Sequence, residues 1–582
     1  MFRKSTCYSP EFVRRLSLLL AAVPLLAEPR YPAARYQVRT EVNVRVPMRD
    51  GVKLATDLYL PEKPGAKLPG IMIRTPYNRK ARTEVPRMFA GQGYVVAVQD
   101  VRGKFDSEGR FTVSANDTND GSDMLDWMAA QTWSTGKIGT YGCSYLGEDQ
   151  IELSKLRNPH HTAMIPQAAG GAYRFADLLE GGAVGVNEAA PWFLKWGSKI
   201  EPAPETPKVD VAHMLLTLPL IQMLKNAGVP QTDFEDFISH EPADPWWDRF
   251  GYVDRRHHFN TPALQVCSWY DSVVNEAFLL AKLMRANGES ARARDNQFVV
   301  IAPTTHCAFD SAVEQTVVGK RELGDARFDY YDLYVRWYDH WLKGVEKSLE
   351  LVPKVQIYVM GAKQWRSENE WPLARTKFTR YYLHSSGHAN SLDGDGMLST
   401  AAPDGEPPDQ YRYNPRDPVR TAGEGAQDQS TIEKRADVLV YTTPPLKAGV
   451  EVTGPLEVTL FVGSNARDTD FTAKLVDVYP DGTAFNLQDG ILRARYREGF
   501  QRKVWMKSGE VYPLRIDLHA TSNYFLVDHR IRLEISSSNF PRFDRNLNTG
   551  GNNYDEAEPV VAENVIHHTA RRASYIMLPV IP

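Results

Sequence analysis

Cysteine is scarce in this chain, with four among 582 residues. That is too few for a disulfide-built scaffold, so stability has to come from a hydrophobic core. An excess of charge of either sign is also missing: 68 Lys and Arg stand against 72 Asp and Glu, for a net charge of −4. With no basic run carrying interleaved aromatics, a nucleic-acid partner is not expected. Zinc-type cysteine spacing, a phosphate-cradling glycine loop ending in Lys-Ser or Lys-Thr, and a dinucleotide fingerprint are all lacking. Neither a metal nor an organic cofactor is therefore expected, and the pair His160-His161 has no third ligand at a sensible spacing. Long hydrophobic runs are short here too. The apolar stretch 16–27 falls well below the roughly 20 residues that span a bilayer, which argues against a stable membrane anchor. Preceded by Arg14 and Arg15 and followed by small and turn residues, it predicts a signal peptide over 1–27 and export to the periplasm or the medium.

What is present is a globular composition, 42% apolar and 24% charged, in a chain long enough for three or four domains at about 150 residues each. It opens with strand-like stretches 36–47 and 52–60 around Asp50-Gly51, a hairpin signal. Short apolar runs at 70–74, 94–99 and 137–141 then alternate with helical patterns such as 123–130. That rhythm belongs to an α/β domain, a parallel sheet covered on both faces. Between about 172 and 258 it stops, giving way to a helical pattern over 211–225 and aromatic–proline clusters, read as a helical cap over the sheet's carboxyl edge. Strands over 262–268 and 298–303 and helices over 274–286 and 329–344 resume it. From about 352 onward, short strands with glycine and proline punctuation predict a β jelly roll, with 390–428 as a long surface loop.

The chemistry-bearing signal is residues 137–147, Lys-Ile-Gly-Thr-Tyr-Gly-Cys-Ser-Tyr-Leu-Gly, a strand running through a turn into a helix. Ser144 on such a turn exposes its hydroxyl at the sheet edge, with the following N–H groups available to a carbonyl oxygen. Gly142 and Gly147 let strand and helix approach closely, although Leu146 occupies the place of the second glycine in Gly-x-Ser-x-Gly. Asp271 lies directly beyond strand 262–268, and His306 beyond 298–303. Both are carboxyl ends of parallel strands, where open sheets place their sites, and Ser, Asp, His is the chain order of α/β-hydrolases. An imidazole that takes the serine proton and a carboxylate that fixes its tautomer are what acyl transfer needs. Arg102, Asp106 and Glu108 are expected to hold a loop by ion pairing, and Glu148 and Asp149 to suit the dipole of the helix after Ser144. Cys143, Cys267 and Cys307 each stand near one of the three candidate residues. Cys267 and Cys307, at the ends of adjacent strands, are the expected pair if one forms; the alternative is three small buried thiols.

The strings IRTPYNR (73–79), QDVRGKFDSEGRF (99–111), GTYGCSYLGEDQ (139–150), SWYDSVVNEAF (268–278), RWYDHWLKG (336–344) and HRIRLEISSSNFPRFDRNLNTG (529–550) resemble the cocaine esterase and X-prolyl dipeptidyl-peptidase superfamily, from about residue 38 to the C-terminus. The resemblance implies an α/β-hydrolase fold with an inserted helical cap and a C-terminal jelly roll. The expected domains are therefore 36–171 and 259–350 for the hydrolase, 172–258 for the cap and 351–582 for the jelly-roll β-sandwich. It also implies an oxyanion hole made by the Tyr77 hydroxyl and the backbone N–H of Tyr145. Within the family, α-amino acid ester hydrolases bind the substrate ammonium partly with carboxylates two and three positions after the catalytic aspartate. Those positions are Val273 and Val274 here, which cannot do so. X-prolyl dipeptidyl-peptidases need acidic groups and usually a longer N-terminal region. An esterase acting on small-molecule esters leads, with amide or peptide cleavage second and Trp192, Phe193, Trp269 and Val273 as candidate substrate contacts. A noncatalytic carbohydrate- or surface-binding protein is the alternative of another class, disfavoured by the intact set of four site residues. Homo-oligomerisation and acyl transfer in place of hydrolysis stay open.

Overall fold

The structure is a computed structural model describing residues 31–171, 179–200, 202 and 205–582; the signal peptide expected over 1–27 lies outside them. The first sheet consists of β1 (Val38–Pro47), β2 (Lys53–Pro61), β3 (Leu68–Thr75), β4 (Val95–Asp100), β5 (Ser134–Cys143), β6 (His161–Gln167), β7 (Ala263–Tyr270), β8 (Gln297–Thr305), β9 (Val355–Val359) and β10 (Gln364–Glu368). Its order is β1-β2-β4-β3-β5-β6-β7-β8-β9-β10. Everything from β4 to β9 is parallel, and antiparallel pairs close both edges. Strands β3, β4 and β6 to β8 are buried almost throughout, which is why their sequences read as continuous apolar runs.

The helices are α1 (Glu84–Gly91), α2 (Asp117–Ala130), α3 (Tyr145–Ser154), α4 (Val186–Trp196), α5 (Val274–Ala286) and α6 (Tyr330–Lys343). On one face, Phe89 of α1 and Tyr334, Trp337 and Tyr338 of α6 pack on Ile73, Val98 and Ile165. On the other, Met124 and Met128 of α2 meet Met72 and Ile138, and Ile151 of α3 meets Leu280 of α5. Helix α2 starts before 123, where apolar periodicity first shows. Its first turn is polar, and Asp117 and Asp120 are held there by Arg74 and Arg102, pairings that periodicity does not reveal.

Between β6 and β7 lies the cap, formed by α4 and by short helices Val211–Met214, Met223–Asn226 and Phe234–Ser239. The continuous helical pattern over 211–225 is broken in space, since Pro219 cannot extend a helix begun before it. The cap has its own core, in which Phe193, Phe234, Phe237, Trp247 and Phe250 pack with Phe540 from the C-terminal domain.

That C-terminal jelly-roll domain is built on a 12-stranded sheet and docks behind β7, where Gln488 Nε2 donates to the Trp269 carbonyl at 2.5 Å. The long surface loop expected over 390–428 is corrected by strands Met397–Ser399 and Asp409–Tyr413, with Asp409, Tyr411 and Tyr413 buried. Asp409–Tyr413 pairs with Ala562–Thr569, a partner too distant in sequence for local composition to register.

Candidate active site

β5 ends at Cys143, and Ser144 leads into α3 with φ 63° and ψ −131°, angles that cost an L residue about 1–3 kcal/mol. Close packing enforces them. A Cβ on Gly142 would lie 2.4 Å from the Leu146 Cβ, and one on Gly147 2.7 Å from the Gln167 carbonyl oxygen. Both small residues are therefore required, and moving the second glycine to 147 leaves the elbow intact. The Ser144 N–H donates to the Gln167 carbonyl at 2.9 Å, tying the turn to β6. Tyr145 opens the helix, so its N–H has no intrahelical acceptor and is available to an anion.

Asp271 follows β7 with its carboxylate fully buried and accepts from the Val273 N–H on Oδ1 at 3.2 Å. His306 follows β8, its Nδ1 3.1 and 3.0 Å from Oδ1 and Oδ2 of Asp271. The imidazole side chain stays 45% accessible. Partial desolvation disfavours the charged ring, but the Asp271 carboxylate, reinforced by Glu188 and Glu148, outweighs it and raises the pKa to about 9.

A disulfide joins Cys143, before Ser144, to Cys307, after His306, with Cα atoms 6.0 Å apart. This corrects the Cys267–Cys307 expectation, and with it the alternative of three thiols. Cys267 is paired with Ile301 in the middle of the β7–β8 ladder, four residues before the end of β8 at Thr305, and is a buried free thiol beside Asp271.

Tyr77 lies just past β3. Its hydroxyl lies beside Ser144 and accepts from Trp192 Nε1 at 2.9 Å. With Trp192 as donor, the phenolic proton is left free to point at Ser144 or at an oxygen bound there. Burial pushes Tyr77 up to about 12, which keeps it a neutral donor. The Tyr145 ring stacks on Trp192 at 6.1 Å and its hydroxyl bonds Asp117, fixing the first residue of α3.

Comparison with known proteins places the chain in a family. The X-Pro dipeptidyl-peptidase (S15 family) model matches residues 50–308, and the X-Pro dipeptidyl-peptidase C-terminal non-catalytic domain model matches 348–577. The chain is 37% identical over 572 residues to the cocaine esterase of Rhodococcus sp. (strain MB1 Bresler), an alignment taking in 93% of this chain and 98% of that protein. The chain belongs to the cocaine esterase and X-Pro dipeptidyl-peptidase family. It is a serine ester hydrolase. Among solved structures, an aminopeptidase from the marine sediment archaeon Thaumarchaeota archaeon superposes with a TM-score of 0.81 at 24% identity, covering 97% of this chain and 99% of that one. An α-amino acid ester hydrolase gives 0.80 at 23%, covering 98% and 100%. At those identities the likeness is one of fold.

Of the four candidate substrate contacts in this S15-family chain, Trp192 alone touches the Ser144–Tyr77 surroundings. Phe193 lies in the cap core against Phe234 and Phe237. Trp269 is fully buried with Nε1 donating to the Tyr358 carbonyl at 2.7 Å. The Val273 side chain is buried in the same core, although its N–H holds Asp271. Sequence periodicity cannot separate these aromatics, because all sit on apolar stretches. Glu188 of α4 carried no sequence signal, yet it faces the site: Ser272 Oγ donates to its Oε2 at 3.0 Å. Burial raises its carboxyl, opposed by Arg542 and His306. Arg542 comes from the SSSNFPRFDRN segment, whose Pro541 carbonyl accepts from the Asn187 N–H at 3.1 Å; the jelly roll thus helps hold the cap.

Of the ion pairs expected nearby, those of Arg102 and Asp106 are present, whereas Glu108 holds the loop through a backbone hydrogen bond. Arg102 bonds Asp120 and Asp50, Asp106 bonds Arg79 and Lys80, and Glu108 accepts from the Lys53 N–H. Asp149 differs from expectation. It is buried near Arg74, and burial pushes its carboxyl well above the usual carboxylate range, so it is no exposed partner of the helix dipole.

Proposed function

We propose that the chain hydrolyses small carboxylic esters through an acyl-enzyme. Ser144 Oγ attacks the carbonyl carbon while His306 Nε2 takes its proton. The proton then passes to the leaving alcohol, and a water activated by the same nitrogen releases the acid. Asp271 holds the proton of Nδ1, so that Nε2 is the accepting nitrogen. The Tyr77 hydroxyl and the Tyr145 N–H stabilise the oxyanion. One observation carries this reading. An imidazole bonded to a buried carboxylate stands on a loop covalently tied to the residue before Ser144, beside which lies the Tyr77 hydroxyl. Amide cleavage by the same residues is the second reading, favoured by the family's peptidases. A panel of aryl esters, free amino acid esters and Xaa-Pro amides separates the two: faster turnover of the amides than of the aryl esters would reverse the order.

Export is part of the same proposal, since a disulfide persists in an oxidising compartment. The mature protein should begin at Glu28, and a cytoplasmic chain retaining Met1 would contradict it.

Tyr77→Phe removes one oxyanion donor without altering shape. Turnover of an aryl ester should fall by about 10²- to 10³-fold, equivalent to about 2.7–4 kcal/mol, with little change in substrate binding. Unchanged turnover would remove Tyr77 from the oxyanion hole.

The raised imidazole sets the pH profile. Because only neutral His306 accepts the serine proton, kcat/KM should rise with pH to a midpoint near 9, above the ordinary histidine value of about 6.5. Glu188→Gln withdraws a negative charge that favours the imidazolium, so the midpoint should move to lower pH. The exposed control Glu314→Gln should leave it in place. Equal midpoints in all three proteins would contradict the assignment.

A further inference from the structure

Strands β6 and β7 stand between β5 and β8, so three inter-strand spacings, about 14 Å, separate the ends of β5 and β8 in the sheet. The Cα atoms of Cys143 and Cys307, just beyond those ends, are only 6.0 Å apart. The segment leaving β8 must therefore turn back across the carboxyl ends of β7 and β6. Just before it, Thr304 Oγ1 at the end of β8 shares a hydrogen bond with Ser268 Oγ of β7 at 2.9 Å, and the segment itself reaches the residue after β7, where His306 bonds Asp271. Its tie to β5 is the disulfide. Both turns also need holding from outside, because Ser144 and Cys307 have φ of 63° and 54°, a region unfavourable to either residue type.

Building on the Ser144–His306–Asp271 reading, we infer that the Cys143–Cys307 disulfide is a positioning device for catalysis. It sets how closely the imidazole approaches the Ser144 hydroxyl, while Asp271 sets the tautomer. Cys143 and Cys307 are thus positioning residues, each one peptide unit from a reacting side chain. Cys267, a buried free thiol beside Asp271, is not bridged. A displacement of about 1 Å between nucleophile and base is enough to cost up to 10²-fold in rate, so the bridge acts on the chemical step, not on substrate affinity.

The Cys143→Ala/Cys307→Ala double variant of the full chain should lose roughly ten- to a hundredfold in kcat and in the rate of fluorophosphonate labelling. KM should stay within about twofold, and the pH midpoint should not move, since Asp271 still holds His306. If that variant does not fold, the wild-type protein serves instead, treated with a water-soluble phosphine well below its unfolding temperature. Phosphine, disulfide and one water give phosphine oxide and two thiols, so peptide mapping should find Cys143 and Cys307 alkylatable. kcat should then drop by the same factor and return on reoxidation with glutathione disulfide. Wild-type kcat and labelling rate in the double variant or the fully reduced enzyme would overturn the inference, even if thermal stability had fallen. Ser144→Ala separates the two readings: labelling that survives it strikes the nucleophile assignment itself and the positioning role with it.

Discussion

Replacing Ser144 with alanine is expected to lower kcat on a short-chain aryl ester by on the order of 10⁶-fold and to abolish labelling by a fluorophosphonate probe. Without the hydroxyl no acyl-enzyme forms, and what remains is the rate supplied by the oxyanion donors and by His306 acting on water. The substitution isolates chemistry from folding. Alanine meets the same backbone penalty as serine at φ 63°, and the packing that enforces the turn belongs to Gly142, Gly147 and Leu146. The variant should therefore unfold at nearly the wild-type temperature. Labelling of this variant, or a loss of less than about a hundredfold, would place the nucleophile elsewhere. A wild-type protein that never labels would favour the noncatalytic binding reading.

Asp271→Asn should reduce kcat about 10⁴-fold, the scale of a reversed histidine tautomer. The geometry shows why the nearly isosteric amide is harmful. Oδ1 accepts from the Val273 N–H at 3.2 Å, so the asparagine oxygen is retained there. Its amide nitrogen then falls at Oδ2, 3.0 Å from His306 Nδ1. An NH₂ group facing Nδ1 makes that nitrogen an acceptor and places the ring proton on Nε2, which can no longer take a proton from Ser144. The same change removes the charge that holds His306 near 9, so whatever activity survives should have its midpoint at lower pH. A variant within tenfold of wild type, with an unmoved midpoint, would show that Asp271 does not orient the histidine.

Much of the frame was legible because parallel strands buried on both faces write themselves as short apolar runs. β3, β4, β5, β7 and β8 fall where such runs occur, and Ser144, Asp271 and His306 follow the carboxyl ends of β5, β7 and β8. The glycines at 142 and 147 were legible for a related reason: a strand–helix crossing too tight for a Cβ leaves its mark as glycine. The start of α2 was not legible, since salt bridges to Arg74 and Arg102, not apolar spacing, hold its first turn. Nor was the order within 390–428, where the stabilising strand partner lies far downstream.

The cysteines show where local reading stops. Adjacency of β7 and β8 was a sound inference, but a disulfide depends on where along the strands the sulfurs lie, and Cys267 sits opposite Ile301. A signal for the right pair existed: Cys143 and Cys307 each adjoin a residue that must converge on the other for the chemistry to work. Glu188 had no such signal. A single carboxylate on a cap helix becomes part of the site only because α4 folds over Ser272.

By itself, then, the amino-acid order determined the parallel strands, the layered α/β arrangement, and which side chains stand at strand ends, since these follow from hydrophobic spacing and backbone sterics over a few neighbouring residues. Only the tertiary structure decided which distant side chains meet: Trp192 on the Tyr77 hydroxyl, Glu188 beside Ser272, and the sulfur of Cys143 on that of Cys307. Hydrogen bonds and covalent links act over about 3 Å or less, and proximity at that scale is set by strand order and loop path rather than by any local pattern.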